Sequence, residues 1–179
     1  MTAQSDRRQA IAQMGEIMQI AFVPQDFEGT IAHWVKMGAG PFFVLRGNQA
    51  EWHQAYGEDC RPVLDIALGQ WGEMQIEVIR QVSPERTVYS DWFKAGKEGV
   101  HHTCIVVDDL DELKRRCEEA GCEIVIEGRS GSNRWLYADT GGGQGTYLEA
   151  IQCDPGLNDM LKALHRDWDG SDPVRELKL

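Results

Sequence analysis

The sequence predicts an α+β fold in which two tandem βαβββ modules form an eight-stranded, open, barrel-like sheet, followed by a C-terminal helix. Three observations carry this prediction. They are an internal repeat, helices bounded by the same residue types in both copies, and a glutamate at the same position near the end of each copy. A repeat is interpreted before any single motif because it sets the whole architecture.

Each copy opens with a strand and a helix. Residues 18–38, MQIAFVPQDFEGTIAHWVKMG, align without gaps on residues 101–121, HHTCIVVDDLDELKRRCEEAG. Both begin with an apolar run rich in β-branched or aromatic residues, which is typical of a strand. An aspartate then caps the first turn of a helix, and a glycine ends that helix. The aspartates are Asp26 and Asp109, and the glycines are Gly38 and Gly121.

Three further strands complete each copy. The apolar runs that predict them lie at residues 41–46, 62–68 and 74–79 in the first copy and at 123–127, 134–139 and 146–151 in the second. The last runs, MQIEVI and TYLEAI, align Glu77 with Glu149. A longer loop around residues 47–60 is the main difference between the copies, so the chain is predicted to be a duplicated βαβββ unit.

The predicted organisation adds tails and a linker to the two modules. It comprises a lead at residues 1–15, module 1 at 16–82, a linker helix region at 83–99, module 2 at 100–152, and a helix and tail at 153–179. The lead is expected to be a short helix or disordered. Residues 155–168 place apolar side chains on one face, which predicts a docked amphipathic helix. The polar finish that follows is expected to pack on the surface or fray.

The composition excludes several classes of partner. The chain has 18 Lys and Arg against 29 Asp and Glu, a formal net charge of −11. Such a surface repels phosphate, so nucleic acid and anionic membranes are not expected partners. The polar start, MTAQSDRRQA, is unlike a secretory signal, and no apolar run predicts a membrane span. The five cysteines are scattered and odd in number, which favours a reduced, cytoplasmic location.

Four polar positions of the repeat are candidates for a metal site. Gln19 corresponds to His102 in the first strands, and Glu77 corresponds to Glu149 in the last strands. If the modules pack about a pseudo-twofold axis, these side chains converge on one face of the sheet. One imidazole, two carboxylates and an amide oxygen can hold a divalent cation. The alternative is that the glutamates are solvated and the histidine is hydrogen-bonded.

Four segments together resemble a known superfamily. They are GEIMQIAFVPQD, MQIEVIRQ, EGVHHTCIVVDDLDEL and GTYLEAIQ, within residues 16–152. As an ordered set they resemble the vicinal oxygen chelate superfamily, which includes glyoxalase I, bleomycin resistance proteins, extradiol dioxygenases and methylmalonyl-CoA epimerase. GVHHTCIVVDD is similar to the GLHH segment, apolar run and DD of the epimerase-like glyoxalase branch. The resemblance implies paired βαβββ modules around one divalent metal ion. It leaves the identity of the ion open among cobalt, manganese, nickel, magnesium and zinc.

The resemblance also implies which residues hold the metal. Its second histidine matches His102 and not His101, which would face the other side of the sheet and pack or hydrogen-bond there. The strand-terminal ligands match Glu77 and Glu149. The first ligand of the family is usually histidine, whereas this chain has Gln19, which offers a neutral carbonyl oxygen.

A carboxylate on a middle strand serves as a proton-transfer base in epimerase-like members, and Asp65 lies at that position. Asp65 is expected to share the inward face of its strand with Val63 and Ala67, where loss of hydration would raise its pKa and make it a usable base. The alternative is a structural ion pair with Arg61, Arg80 or another cation.

The leading functional prediction is a metal-dependent lyase or isomerase that moves an α-proton of a small carbonyl compound or an acyl thioester, with Glu149, Glu77 or Asp65 carrying the proton. A metal-free protein that sequesters a drug or aromatic ligand is the alternative. An extradiol dioxygenase is disfavoured because the chain offers only one well-placed histidine for iron. The expected partner is a small-molecule substrate, and a homodimer is compatible with the pattern.

The remaining histidines and the aromatic residues are given structural roles. His33 and His53 are expected to lie on the surface or to pack, because neither has a ligand-type partner in the repeat. Strand aromatics such as Phe42, Trp71 and Trp135 can line a pocket but are more typical of a core.

Overall fold

The computed structural model of the chain describes residues 10–154 and 156–177. Both βαβββ modules are present in one large sheet, which confirms the predicted α+β fold class. Residues 1–9 of the predicted lead, Pro155 of the predicted C-terminal helix and residues 178–179 of the tail lie outside the described residues. The described part of the lead contains one turn of 3-10 helix, Ile11–Gln13.

The elements follow the predicted order, with two additional strands in module 1. That module contains β1 (Ile17–Phe22), α1 (Phe27–Lys36), β2 (Phe42–Asn48), β3 (Trp52–Ala55), β4 (Glu58–Asp59), β5 (Leu64–Trp71) and β6 (Met74–Gln81). The linker helix α2 (Val88–Lys94) leads to β7 (Val100–Val106), α3 (Leu110–Glu119), β8 (Glu123–Ser130), β9 (Asn133–Asp139) and β10 (Tyr147–Gln152). Helix α4 (Gly156–Arg166) and strand β11 (Val174–Leu177) follow. Within the described ranges, no helix has the length and apolarity needed to cross a bilayer.

Local hydrogen bonds set the boundaries of the two module helices. The side chains of Asp26 and Asp109 each accept a hydrogen bond, at 2.9 Å, from the backbone N–H three residues ahead. Gly38 and Gly121, beyond the other ends, have φ angles of +91° and +86°. Residues with a Cβ atom rarely adopt such angles, so glycine is needed there.

The strand order shows the internal symmetry. The sheet runs β11-β2-β5-β6-β1-β7-β10-β9-β8-β3-β4. β1 and β7 are antiparallel neighbours at its centre, and each pairs in parallel with the last strand of its own module. Outward from the centre, the two modules therefore repeat the same order, which is the pseudo-twofold arrangement that the repeat predicts.

Apolar side chains occupy both faces of the sheet. Phe27 and Ile31 of α1 belong to a buried cluster that includes Val78 of β6. The next residue of β6, Ile79, belongs to a different cluster that contains Tyr89 and Tyr137. Because successive strand residues point to opposite faces, α1 covers one face and the aromatic cluster, which includes Tyr89 of α2, lies on the other. Burial of each large apolar side chain contributes roughly 1.5–3 kcal/mol to folding.

The segment at residues 47–60, predicted as a loop, forms the β3–β4 hairpin. β3 pairs antiparallel with β8, with Ala55 opposite Ile126. Since β2 lies in the module 1 half and β8 in the module 2 half, the segment bridges the two arms of the open sheet. Its strand shows the alternation of a half-buried ribbon, because His53 and Ala55 are buried while Trp52 is exposed.

The C-terminal tail is more regular than the expected surface packing or fraying. Residues 174–177 pair in parallel with residues 42–45 of β2. β2 would otherwise be the outer strand of module 1, with unpaired backbone groups along its edge. The tail forms hydrogen bonds with those backbone groups. The strand could not be predicted from the sequence, because the polar, charged tail lacks the apolar run that is typical of a strand.

Candidate metal centre

The strand register places the four candidate ligand positions at equivalent points of the two modules. In each module the first strand carries a candidate ligand, Gln19 or His102. The residue two positions after that ligand pairs with the glutamate of the last strand. These register pairs are Ala21 with Glu77 and Cys104 with Glu149. Cys104 also lies opposite Gln19, and Ala21 lies opposite His102, across the central pair of strands. The convergence that the repeat predicts is therefore present in the backbone.

Three of these side chains meet in a buried cluster. His102 Nε2 lies 3.1 Å from Glu149 Oε2 and 3.3 Å from Glu77 Oε2. One ligand atom from each residue falls within 4.8 Å of the others. His102 is fully buried, and the two glutamates are less than a tenth exposed. One nitrogen and two carboxylate groups thus face a common point shielded from solvent.

Burial and mutual contact perturb the titration of this cluster. Burial alone would lower the pKa of His102, but the close contacts of its ring with the carboxylates of Glu149 and Glu77, together with their negative charges, raise the pKa to about 9. Desolvation raises the pKa of Glu77, and the adjacent Glu149 adds to that effect. The two carboxylates therefore favour the positively charged form of His102.

His101 lies beside His102 and not on the opposite face, so that sequence expectation is wrong. The register between β1 and β7 shifts here, because Ala21 pairs with His102 while Phe22 pairs with Val100. The extra residue is a bulge, which interrupts the normal alternation of side chains. The two imidazoles consequently contact each other, Nδ1 to Nδ1, at 2.9 Å.

The donor set fits a divalent cation. The buried Oε1 atom of Gln19 accepts no hydrogen bond from the described residues, and the buried Oε2 atom of Glu77 has only its 3.3 Å contact with His102 Nε2, which lacks hydrogen-bond geometry. Gln19 donates its amide nitrogen to Gln75 Oε1, so its carbonyl oxygen is the atom left without a partner. Buried oxygens without donors are costly unless a cation or water satisfies them. Glu77 Oε2, which lies 3.3 Å from His102 Nε2, and the unpartnered oxygen of Gln19 on the neighbouring central strand are donor types that suit a divalent cation.

The structure does not bring Asp65 into this cluster. Asp65 and Ala67 point to the face covered by α1, whereas Leu64 and Ile66 line the opposite face. Desolvation would raise the pKa of Asp65, but hydrogen bonds from Arg80, the Gly47 N–H and Arg46 outweigh it and lower the pKa.

The predicted raised pKa of Asp65 is therefore wrong. Its Oδ2 atom lies 2.6 Å from Arg80 Nη2 and 3.3 Å from Arg46 Nη1. These contacts make the structural ion pair that was the alternative interpretation. An Asp held between two guanidinium groups is stabilised as a carboxylate and is a poor base.

A cavity of about 190 Å³ adjoins the cluster. Glu77 and Glu149 lie on its wall, and most of the remaining wall is apolar or aromatic. The apolar and aromatic contributors include Leu64, Ile66, Ile79, Trp135, Tyr137 and Ile151. The Tyr137 hydroxyl lies 3.3 Å from His102 Nε2. Two of the candidate metal ligands therefore face a partly open cavity suited to a small, largely apolar molecule.

His53 is a lining residue that the repeat analysis missed. It is 3% exposed, lies on the cavity wall, and contacts Cys60 Sγ through Nδ1 at 3.3 Å. It has no counterpart in module 2 because it belongs to the inserted hairpin. The residue types of WHQA gave no signal for this position, because the apolar Trp52 is exposed and the polar His53 is buried.

The chain resembles solved structures at low sequence identity. A hypothetical protein from Bacillus halodurans C-125 is 14% identical with a TM-score of 0.55, and the match covers 78% of this chain and 95% of that one. Methylmalonyl-CoA epimerase from Mycobacterium tuberculosis is 16% identical with a TM-score of 0.54, covering 81% and 91%. A Streptomyces coelicolor methylmalonyl-CoA epimerase variant in complex with 2-nitronate-propionyl-CoA is 16% identical with a TM-score of 0.52, covering 78% and 94%. These likenesses establish the fold.

Sequence comparison assigns the family. No curated protein shows significant similarity to the chain. The profile described as the glyoxalase/bleomycin resistance protein/dioxygenase superfamily matches residues 18–138, which include both first strands and both helices of the repeat. The match therefore spans the centre of the duplicated fold and confirms the resemblance found in the sequence. The chain belongs to the glyoxalase/bleomycin resistance protein/dioxygenase superfamily.

Proposed function

We propose that the chain is a metal-dependent lyase or isomerase of the glyoxalase and epimerase type, acting on a small carbonyl compound or an acyl thioester. One observation carries the proposal. The buried Glu77, His102 and Glu149 converge within 4.8 Å, and the two glutamates lie on the wall of a largely apolar cavity. Solved methylmalonyl-CoA epimerases share the fold, and one of them is a complex with methylmalonyl-CoA.

His102, Glu77, Glu149 and the carbonyl oxygen of Gln19 would hold the cation. A divalent ion bound there would supply Lewis-acid stabilisation for negative charge that develops on a substrate oxygen. Two carboxylates and neutral ligands balance the charge of such an ion, which supports cation binding in a buried site. The apolar walls exclude water and strengthen the electrostatic interactions inside the cavity.

Glu77 and Glu149 are the groups that take and return the substrate proton. Both carboxylates lie on the cavity wall, whereas Asp65 is excluded from it by the sheet. One carboxylate oxygen removes the proton from the carbon next to the carbonyl group, and the same or the facing carboxylate returns a proton to it. General acid-base transfer needs the groups within hydrogen-bonding reach of the reacting carbon, and the small cavity supplies that proximity.

The test combines metal analysis with proton exchange. Protein purified without chelator is expected to contain one divalent ion per chain, and to exchange α-protons of small carbonyl compounds and acyl thioesters in heavy water, followed by proton NMR. His102→Ala is expected to lose both. Glu149→Gln and Glu77→Gln are expected to remove exchange even where metal remains. A wild-type protein that takes up none of cobalt, manganese, nickel, magnesium or zinc contradicts the proposal.

A metal-free binding protein is the second candidate, and Gln19 is the observation that favours it. A neutral amide is a weaker ligand than the histidine usual at this position in the family. The aromatic lining of the cavity would suit an aromatic ligand. In that case His102→Ala would leave ligand binding intact and reduce only the thermal stability, which separates the two functions.

We also propose that the protein is cytoplasmic and that it forms a homodimer. All five cysteines are free, which supports the reduced, cytoplasmic location predicted from the sequence. A homodimer is tested by light scattering of the purified chain.

A further inference from the structure

We propose that His53 recognises the end of the substrate that is remote from the metal ligands, and that the substrate is an uncharged, ring-sized molecule with a hydrogen-bond acceptor at that end. The inference rests on the proposed function because it assigns the metal ligands to one end of the cavity. It adds the chemical class of the substrate and a specificity residue. Three independent features of the cavity support it.

The first feature is the path of the inserted segment. Asn48 ends β2 on one arm of the sheet, and Trp52 begins β3, which pairs with β8 on the other arm. The segment therefore crosses the open side of the barrel. Its strand turns His53 inward, where the ring is 3% exposed and lines the cavity together with Ala50. The side chain thus lies on the covering element, whereas the candidate ligands lie on the central strands.

The second feature is the hydrogen-bonding state of His53. Its Nδ1 atom lies 3.3 Å from Cys60 Sγ. Burial lowers the pKa of His53 to about 4, and burial raises the pKa of the Cys60 thiol, so both groups are neutral near pH 7. The thiol hydrogen is then available to Nδ1, which leaves the imidazole hydrogen on Nε2. His53 consequently offers an N–H donor, which pairs with a carbonyl, nitrile or ether of a ligand.

The third feature is the charge of the cavity wall. Its charged residues are Glu77 and Glu149, and no Lys or Arg lines the cavity in the described part of the chain. A cation held by the glutamates would leave no further positive charge. An anionic group on the substrate at the His53 end would therefore be buried without a partner, which is strongly unfavourable. A volume of about 190 Å³ also suits one ring, since cavities of roughly 150 Å³ hold benzene.

The experiment uses three matched probes on the full chain loaded with cobalt. Benzohydroxamates carry two adjacent oxygens for the metal and one ring for the cavity. The probes bear a 4-cyano group as an uncharged acceptor, a 4-ethynyl group of the same shape without a strong acceptor, or a 4-carboxylate. By calorimetry, the cyano probe is expected to bind about three- to tenfold more tightly than the ethynyl probe, the usual effect of one hydrogen bond. The carboxylate is expected to bind more than about a hundredfold more weakly.

Variants of His53 assign the preference. His53→Phe is expected to abolish the difference between the cyano and ethynyl probes, and His53→Gln, which keeps an N–H donor, to restore part of it. Circular dichroism and an unchanged cobalt absorption spectrum control for folding and for an intact metal site. Equal binding of the two probes by wild type, a preference that survives His53→Phe, or tight binding of the carboxylate overturns the assignment. If the wild-type chain does not bind cobalt in the absence of any probe, the proposed function is overturned, and this inference is overturned with it.

Discussion

The imidazoles of His101 and His102 form a hydrogen bond between their Nδ1 atoms, 2.9 Å apart, inside the sheet. Burial lowers the pKa of His101 well below its ordinary value, so its ring is neutral. The raised pKa of His102 favours a proton on both of its ring nitrogens, so the Nδ1 atom of His101 is the acceptor. His102 must then donate from Nδ1, which directs its Nε2 atom toward Glu77 and Glu149. The neighbouring imidazole therefore orients the candidate metal ligand.

Removal of this acceptor is expected to weaken metal binding. His101→Phe should lower the affinity for cobalt about ten- to a hundredfold, the usual effect of losing the partner of a metal-bound histidine. His101→Asn, which keeps an acceptor near the same position, should lower it less. Competitive titration with a chelating dye measures both affinities. Equal affinities of wild type and His101→Phe would contradict the orienting role.

Replacement of Gln19 is expected to strengthen the site. Gln19→His restores a nitrogen ligand, and zinc and nickel prefer imidazole to an amide oxygen. The affinity for these ions should rise by at least about tenfold, which is about 1.4 kcal/mol. Gln19→Ala is the matched control and should lower it. Dialysis followed by elemental analysis gives the comparison, and an unchanged affinity in Gln19→His would place residue 19 outside the metal site.

Gln75 is expected to orient the amide of Gln19. Gln75→Leu removes the acceptor of the Gln19 amide nitrogen and leaves that N–H buried, so unfolding should become about 1–3 kcal/mol easier. The amide can then turn, and metal affinity should fall. Gln75→Glu keeps the acceptor and should retain the affinity better. Urea unfolding measures the stability, and dye competition measures the metal affinity. If Gln75→Glu loses the metal while Gln75→Leu keeps it, Gln75 does not orient the Gln19 amide.

Asp65 is expected to act on stability and not on the metal. Asp65→Asn weakens the contacts with Arg80 and Arg46, which are about a third exposed, so the cost should be about 1–2 kcal/mol of unfolding free energy. Metal content should not change. Glu28→Gln, at an exposed partner of Arg46, is the control and should cost less than about 0.5 kcal/mol. Loss of metal from Asp65→Asn would return Asp65 to the site.

The pH dependence of stability should report the burial of His53. Its pKa falls from 6.5 to about 4 on folding, so the unfolded chain binds a proton first. The free energy of unfolding is therefore unaffected by this group above pH 6.5. It falls as the pH is lowered toward 4, by about 3 kcal/mol in total. Urea unfolding of His53→Phe should show a shallower fall over this window than wild type. His33→Gln, on an exposed helix position, should match wild type.

The repeat made much of the fold and part of the candidate site predictable. Helix caps at Asp26 and Asp109 depend on neighbours within one turn, so local sequence determined them. The correspondence of Glu77 with Glu149 also survived into three dimensions, because duplicated modules place equivalent residues in equivalent register. Patterns of this kind are readable without knowing how the modules pack.

Other features were decided only when the strands assembled. Alternation along β5 showed that Asp65 and Ile66 face opposite sides, but packing of α1 decided which side is the core and which is the cavity. The bulge at His101 depends on pairing with β1, a strand distant in sequence. The inward position of His53 depends on β3 reaching β8. Local sequence determined the elements and their symmetry, whereas long-range pairing decided which polar side chains became buried together, because burial is a property of the packed sheet.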